Sequence, residues 1–286
     1  MRVQVGDVRL FFDVEGAKLR PAGAWLDERP TVVVLHAGPG LDHAPYKESL
    51  GPPLADVAQV VYLDQRGHGR SDRSDESRWN IDQWAEDVRA FCERLSISRP
   101  VLLGQGWGAM IAVRAAARWP QLADRLVLAG PLARIVPDRS IAVFERLGGP
   151  AAGEVAFRFY HEPGERAVAD YLRVCFPLLA RTPRGPGTLL RAQWNFETLI
   201  HWTGGEAHTV DLREDAARVW APTLVLQGED DPQMPLVGAR ELVDELPDAR
   251  LVTYPRGRHA LFHDEAAAVD EVRRFVAVRP AAVEAS

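Results

Sequence analysis

VLLGQGWGAMIA (Val101–Ala112) runs from an apolar stretch, through three glycines at alternate positions, into a helical pattern. An apolar strand delivered to a glycine turn and followed at once by a helix is expected at the carboxyl edge of a parallel α/β sheet. Two readings of the turn compete. Gly104-x-Gly106-x-x-Ala109 fits the dinucleotide fingerprint G-x-G-x-x-G/A, while Gly104-x-Gly106-x-Gly108 fits the nucleophile elbow G-x-S-x-G with glycine where the serine belongs.

Working outward, TVVVLHAGPG (Thr31–Gly40) and AQVVYLDQRGHGRSD (Ala58–Asp72) are further β-branched runs that end in glycine-rich loops. Ile81, Trp84, Val88, Phe91 and Leu95 fall at helical spacing, so Ile81 to Leu95 is predicted as an amphipathic helix. A helix over Trp107 to Arg118 and a strand over Arg125 to Ala129 follow. This alternation predicts an α/β fold with a mostly parallel, doubly wound sheet of about eight strands, preceded by an N-terminal hairpin turning at Gly6-Asp7. From about Leu132 to Trp220 the chain is helix-prone, broken by proline and glycine and rich in aromatic residues. It reads as an inserted helical cap, giving a core of residues 1–131 and 221–286 and a cap of residues 132–220. The sheet is expected to resume with PTLVLQGEDDP (Pro222–Pro232), a helix over Val237 to Leu246, the strand RLVTYP (Arg250–Pro255) and a last helix from about Asp264 to Val278. The tail after Pro280 is expected to be disordered.

Composition narrows the function. A hydrophobic content of 47% in 286 residues supplies a full core, and a net charge of -6 with scattered arginines argues against a nucleic-acid surface. Cys92 and Cys175 lie far apart with no C-x-x-C spacing, so neither a disulfide nor a zinc site is expected. No basic leader precedes an apolar segment and no long uncharged apolar run occurs. The expectation is a cytoplasmic protein without membrane partner, cofactor or metal, acting on a small-molecule substrate; oligomeric state has no signature in the sequence.

Four loops at strand ends carry the chemistry: His36-Ala37-Gly38-Pro39-Gly40, the turn at Gly106, and the pair of late loops with Asp231 and His259. In a doubly wound sheet they converge on one edge. Their chain order of nucleophile position, acid and histidine is that of an α/β-hydrolase. The chain resembles the proline-iminopeptidase-like branch of that family, whose H-G-G-P-G, D-Q-R-G-x-G-x-S and G-x-S-W-G stand here as HAGPG, DQRGHGRS and GQGWG. The match spans nearly the whole chain and is loosest in the cap. The resemblance implies a peptidase or esterase of small amides or esters. It implies His259 as the base, Asp231 as its acid by the spacing G-x-x-D from Gly228, and the backbone N–H groups of Gly38 and Trp107 as the oxyanion hole. It further implies that Glu197, in a stretch with Trp194 and Trp202, meets the free amine of a substrate. The departure is Gly106, where the nucleophile should be.

Glycine at that position leaves three readings open. The chain is a serine hydrolase whose nucleophile has been lost, by engineering or naturally; an enzyme that uses the His259–Asp231 pair as a general base without a nucleophile; or a non-catalytic binding protein. The dinucleotide reading lacks its ribose-binding acid, since Asp124 precedes the strand Arg125 to Ala129 instead of ending it. Asp230 is expected to be solvated, Asp64 and Arg66 to pin a sharp loop, and His36, His43 and His68 to lack metal-ligand spacing. His263-Asp264-Glu265 reads as a helix start.

Overall fold

The computed structural model describes residues 1–183 and 190–278. The tail expected to be disordered lies outside the described residues. Eight strands form one sheet in the order β1-β2-β6-β5-β7-β8-β9-β10. They are β1 (Arg2–Val5), β2 (Val8–Glu15), β5 (Thr31–Leu35), β6 (Gln59–Leu63), β7 (Val101–Gln105), β8 (Arg125–Ala129), β9 (Thr223–Gly228) and β10 (Ala249–Tyr254). The strands β1 and β2 pair antiparallel across the Gly6 turn and β2 joins β6 antiparallel, while the pairs from β6 through to β10 are parallel.

Every residue of β5, β7, β8 and β9 is buried, as a strand covered by helices on both faces must be. Alternation divides their side chains between two cores: Val33 and Leu35 pack with Trp84, Val88, Phe91, Met110 and Leu242 on one face, and Val32 and Val34 with Leu50, Leu54, Val269 and Val272 on the other. The helices that supply these residues include Ile81–Arg94, Trp107–Arg118, Leu236–Glu245 and Ala266–Ala277, each within a few residues of the predicted bounds. The last helix differs in one respect. A short turn, Leu261–Asp264, ends before Glu265 starts the final helix, so His263 and Asp264 close one helix and Glu265 opens the next.

Between β8 and β9 the helices Pro137–Gly148, Pro150–His161 and Glu165–Val174 bury Phe144, Val155, Phe159, Tyr160, Tyr171 and Cys175 against one another. This is a core separate from the two that clasp the sheet. One element was not anticipated: β3 (Leu19–Ala22) and β4 (Trp25–Glu28) form a second hairpin that leaves Trp25 80% exposed. With Pro21 inside it and no buried face, this segment carries none of the alternation that marks the other strands.

Candidate active site

The turn that opened the sequence reading is a strand-to-helix elbow in which each glycine has its own reason. Gly106 has φ 55° and ψ -115°, a conformation that a residue with a Cβ adopts only under strain. Gly104 and Gly108 allow close approach: a Cβ on Gly108 would stand 2.2 Å from the Leu35 carbonyl oxygen, and one on Gly104 2.4 Å from that of Gly108. The Gly106 N–H donates to Ala129 O at 2.8 Å, which stitches the elbow to β8. Trp107 opens the helix, so its N–H has no acceptor one turn back and points out of the helix end.

Asp231 and His259 meet above this elbow. The His259 Nδ1 donates to Asp231 Oδ2 at 2.9 Å, and Asp231 Oδ1 accepts from the backbone N–H groups of Gln233 and Met234 at 2.9 and 2.8 Å. Asp231 is 1% exposed, so its carboxylate is held entirely by protein donors. With the proton fixed on Nδ1, Nε2 is left as the basic nitrogen. The missing side chain of Gly106 aims at that ring: a Cβ there would stand 2.9 Å from His259 Cε1 and 3.1 Å from Nε2. Asp230 is turned away and pairs with Arg146 at 2.7 Å.

Two features escaped the sequence reading. A Cβ on Gly130, just past β8, would lie 3.0 Å from Asp231 Oδ2, so this glycine makes room for the acid. Gln105 donates through Nε2 to the His259 carbonyl oxygen and so ties the end of β7 to the histidine loop.

The supporting loops are pinned from within. Gln65 N–H donates to His36 Nε2 at 3.1 Å, which places the His36 proton on Nδ1, where it donates to Ala37 O at 2.8 Å. Burial lowers the His36 pKa, consistent with that neutral ring. Asp64 takes His43 Nδ1 at 2.6 Å and the Arg70 N–H at 2.9 Å; burial works against its charge, yet the adjacent His43 brings the carboxyl below its ordinary value. Arg66 forms a buried bidentate pair with Asp87 at 2.7 and 2.8 Å. These groups are structural, and among the described residues no His, Cys, Asp and Glu cluster could hold a metal ion.

His259 lines a cavity of about 320 Å³ together with Gly38, Pro39, Gln105, Tyr171 and Trp194. Of the three residues expected to bind substrate, only Trp194 faces this space. Glu197 is exposed and lines a neighbouring cavity with Arg73 and Glu165. Trp202 is buried, edge-on to Trp84 and Trp107 at ring distances of 6.0 and 6.5 Å, and so belongs to the packing under the elbow. Cap-helix aromatics at helical spacing have no sequence signal that separates these roles.

The sequence model of the α/β hydrolase fold family matches residues 30–266. The chain belongs to that family. Its relatives include a proline iminopeptidase of Lactiplantibacillus plantarum, 30% identical over a 265-residue alignment that covers 86% of this chain and 91% of the relative. A monoacylglycerol lipase of Mycolicibacterium smegmatis is 28% identical, over 91% of this chain and 89% of its own. Among solved structures, a proline iminopeptidase-related protein from Thermus thermophilus superposes with a TM-score of 0.74 at 25% identity, covering 96% of this chain and 95% of that one. Among the described residues of this α/β hydrolase no helix is long and apolar enough to cross a membrane.

Proposed function

We propose that this α/β hydrolase cleaves a small carboxyl ester by general-base activation of water, with no covalent acyl-enzyme. His259 is the base, Asp231 orients it, the N–H groups of Gly38 and Trp107 hold the developing oxyanion, and residues 132–220 act as a cap over the site. The observation that carries this reading is the 2.9 Å Asp231–His259 bond poised over an α-carbon that bears no side chain. In the step, Nε2 takes a proton from water as its oxygen bonds to the ester carbonyl carbon, and the carbonyl electron pair moves onto oxygen against the two N–H donors. Collapse of the tetrahedral species breaks the bond to the leaving oxygen, which recovers the proton from the imidazolium. An acid and an alcohol leave, and the histidine is again neutral.

A second reading, a serine hydrolase without its serine, is favoured by one observation: the backbone at Gly106 keeps the strained turn that a nucleophile elbow uses. The test is one panel of esters, amides and lactones on three proteins: the chain as it stands, Gly106→Ser and His259→Ala. The general-base reading expects activity from the unaltered chain, a loss of roughly 10²–10⁴-fold in His259→Ala, and no gain in Gly106→Ser. An inert parent with an active Gly106→Ser would replace it with the serine reading, and three inert proteins would leave a binding protein.

A further inference from the structure

We propose that the cavity beside His259 selects uncharged, apolar carbonyl compounds and rejects substrates that carry a free ammonium group. This rests on the reading of His259 as the reactive base and names the substrate class of the same site. Its wall is aromatic and aliphatic: Phe159 stacks on Tyr171 at 4.1 Å and 23°, Phe176 meets Trp194 edge-on at 5.7 Å, and Leu172, Leu179, Leu199 and Phe262 complete it. Polar side chains among them are already hydrogen-bonded within the protein. Tyr171 donates its hydroxyl hydrogen to Gln233 Oε1, Gln105 donates to the His259 carbonyl, and His263 Nε2 donates to Thr182 O at 3.2 Å.

Charge is the deciding observation. Among the described residues no lysine or arginine lines this cavity, and its one carboxylate outside the histidine dyad is Glu48. That side chain is 60% exposed and is paired with Arg191, so solvent and a guanidinium already neutralise it. The acids that could meet an ammonium group, Glu197 and Glu165, open onto the neighbouring cavity, and Trp194 and Leu172 line both spaces as a shared partition. An ammonium group carried into the His259 cavity would therefore lose its water and find no counter-charge, a penalty that an uncharged ligand escapes.

Two non-hydrolysable probes of nearly equal shape test this on the full-length protein by titration calorimetry: benzylacetone, a neutral aryl-alkyl ketone, and its α-ammonium derivative. The neutral ketone is expected to bind at least about tenfold tighter, and Glu197→Gln is expected to change neither affinity. Equal or tighter binding of the ammonium probe, loss of its binding in Glu197→Gln, or no saturable binding of the neutral ketone overturns the proposal. Hydrolysis of the matching neutral phenylpropanoate ester is followed in parallel. Selective binding without turnover removes the general-base reading and supports this one; turnover without selectivity does the reverse.

Discussion

Replacing Gly106 by alanine sets two measurable costs against one gain. The backbone at φ 55° and ψ -115° holds a residue with a Cβ in a strained region, at about 1–3 kcal/mol. The new methyl would also stand 2.9 Å from His259 Cε1 and 3.1 Å from Nε2, so the ring must give by a few tenths of an ångström against its 2.9 Å bond to Asp231. Against this, alanine narrows the unfolded ensemble, worth about 0.4–1 kcal/mol in favour of the variant. The net expectation is a destabilisation of about 1–3 kcal/mol. With a urea m-value near 3 kcal/mol/M, expected for a chain of this size, the midpoint falls by about 0.3–1 M at unchanged slope. Gly6→Ala is the control, since Gly6 has φ 53° and nothing within 4 Å of its would-be Cβ. It isolates the cost of a positive φ from the cost of pushing on the imidazole. A Gly106→Ala protein as stable as the parent, or one no worse than Gly6→Ala, would refute the picture of a ring closed down on the glycine.

Asp231→Asn is expected to lower kcat on a neutral ester by at least about a hundredfold, whereas Asp230→Asn, which loses only a partly exposed pair with Arg146, leaves it within about twofold. Burial holds the His68 pKa down to about 3, below its ordinary 6.5, so the unfolded chain takes up the proton first as the pH falls. Stability attributable to His68 is therefore unaffected above about pH 6.5 and declines below it by about 1.4 kcal/mol per pH unit; in urea titrations between pH 6.5 and 4.5, His68→Gln should remove that slope, and an identical slope in the variant contradicts the assignment. Arg66→Met leaves the buried Asp87 carboxylate without its bidentate partner and is expected to cost about 3–5 kcal/mol in thermal or urea unfolding, with most of it recovered by adding Asp87→Leu.

What the sequence disclosed and what it withheld follow from the range of the forces involved. The strands β5, β7, β8 and β9 were legible because burial on both faces demands unbroken runs such as TVVVL and RLVLA, a signal contained in five residues. The Asp231–His259 pairing was legible because chain order and the G-x-x-D spacing survive in the linear text, whereas Asp230, expected to be solvated, is instead paired with Arg146. Gly130 was not, because its purpose appears only when Asp231, a hundred residues later, arrives 3.0 Å from where its side chain would be. The roles of Glu197 and Trp202 were hidden for a related reason. The helix Phe196–Thr203 is apolar enough to dock in several rotations, and its packing on Trp84 and Trp107 selects the one that buries Trp202 and turns Glu197 outward. The β3–β4 hairpin has no buried face at all, so no pattern existed to be read.

The helix Trp107–Arg118 begins at Gly106 without any side chain to cap it. Its aligned peptide dipoles place roughly half a positive charge at that end, and no serine or aspartate oxygen is there to absorb it. Such a helix end exerts opposite effects on the two charges a general-base reaction creates: it attracts the oxyanion and repels the imidazolium. On the proposed general-base route both charges would exist together once water has attacked, with the helix field acting on the anion and the Asp231 carboxylate on the cation. On that route a bare helix terminus leaves its field directed at the anion, where a capping side chain at this position would damp it.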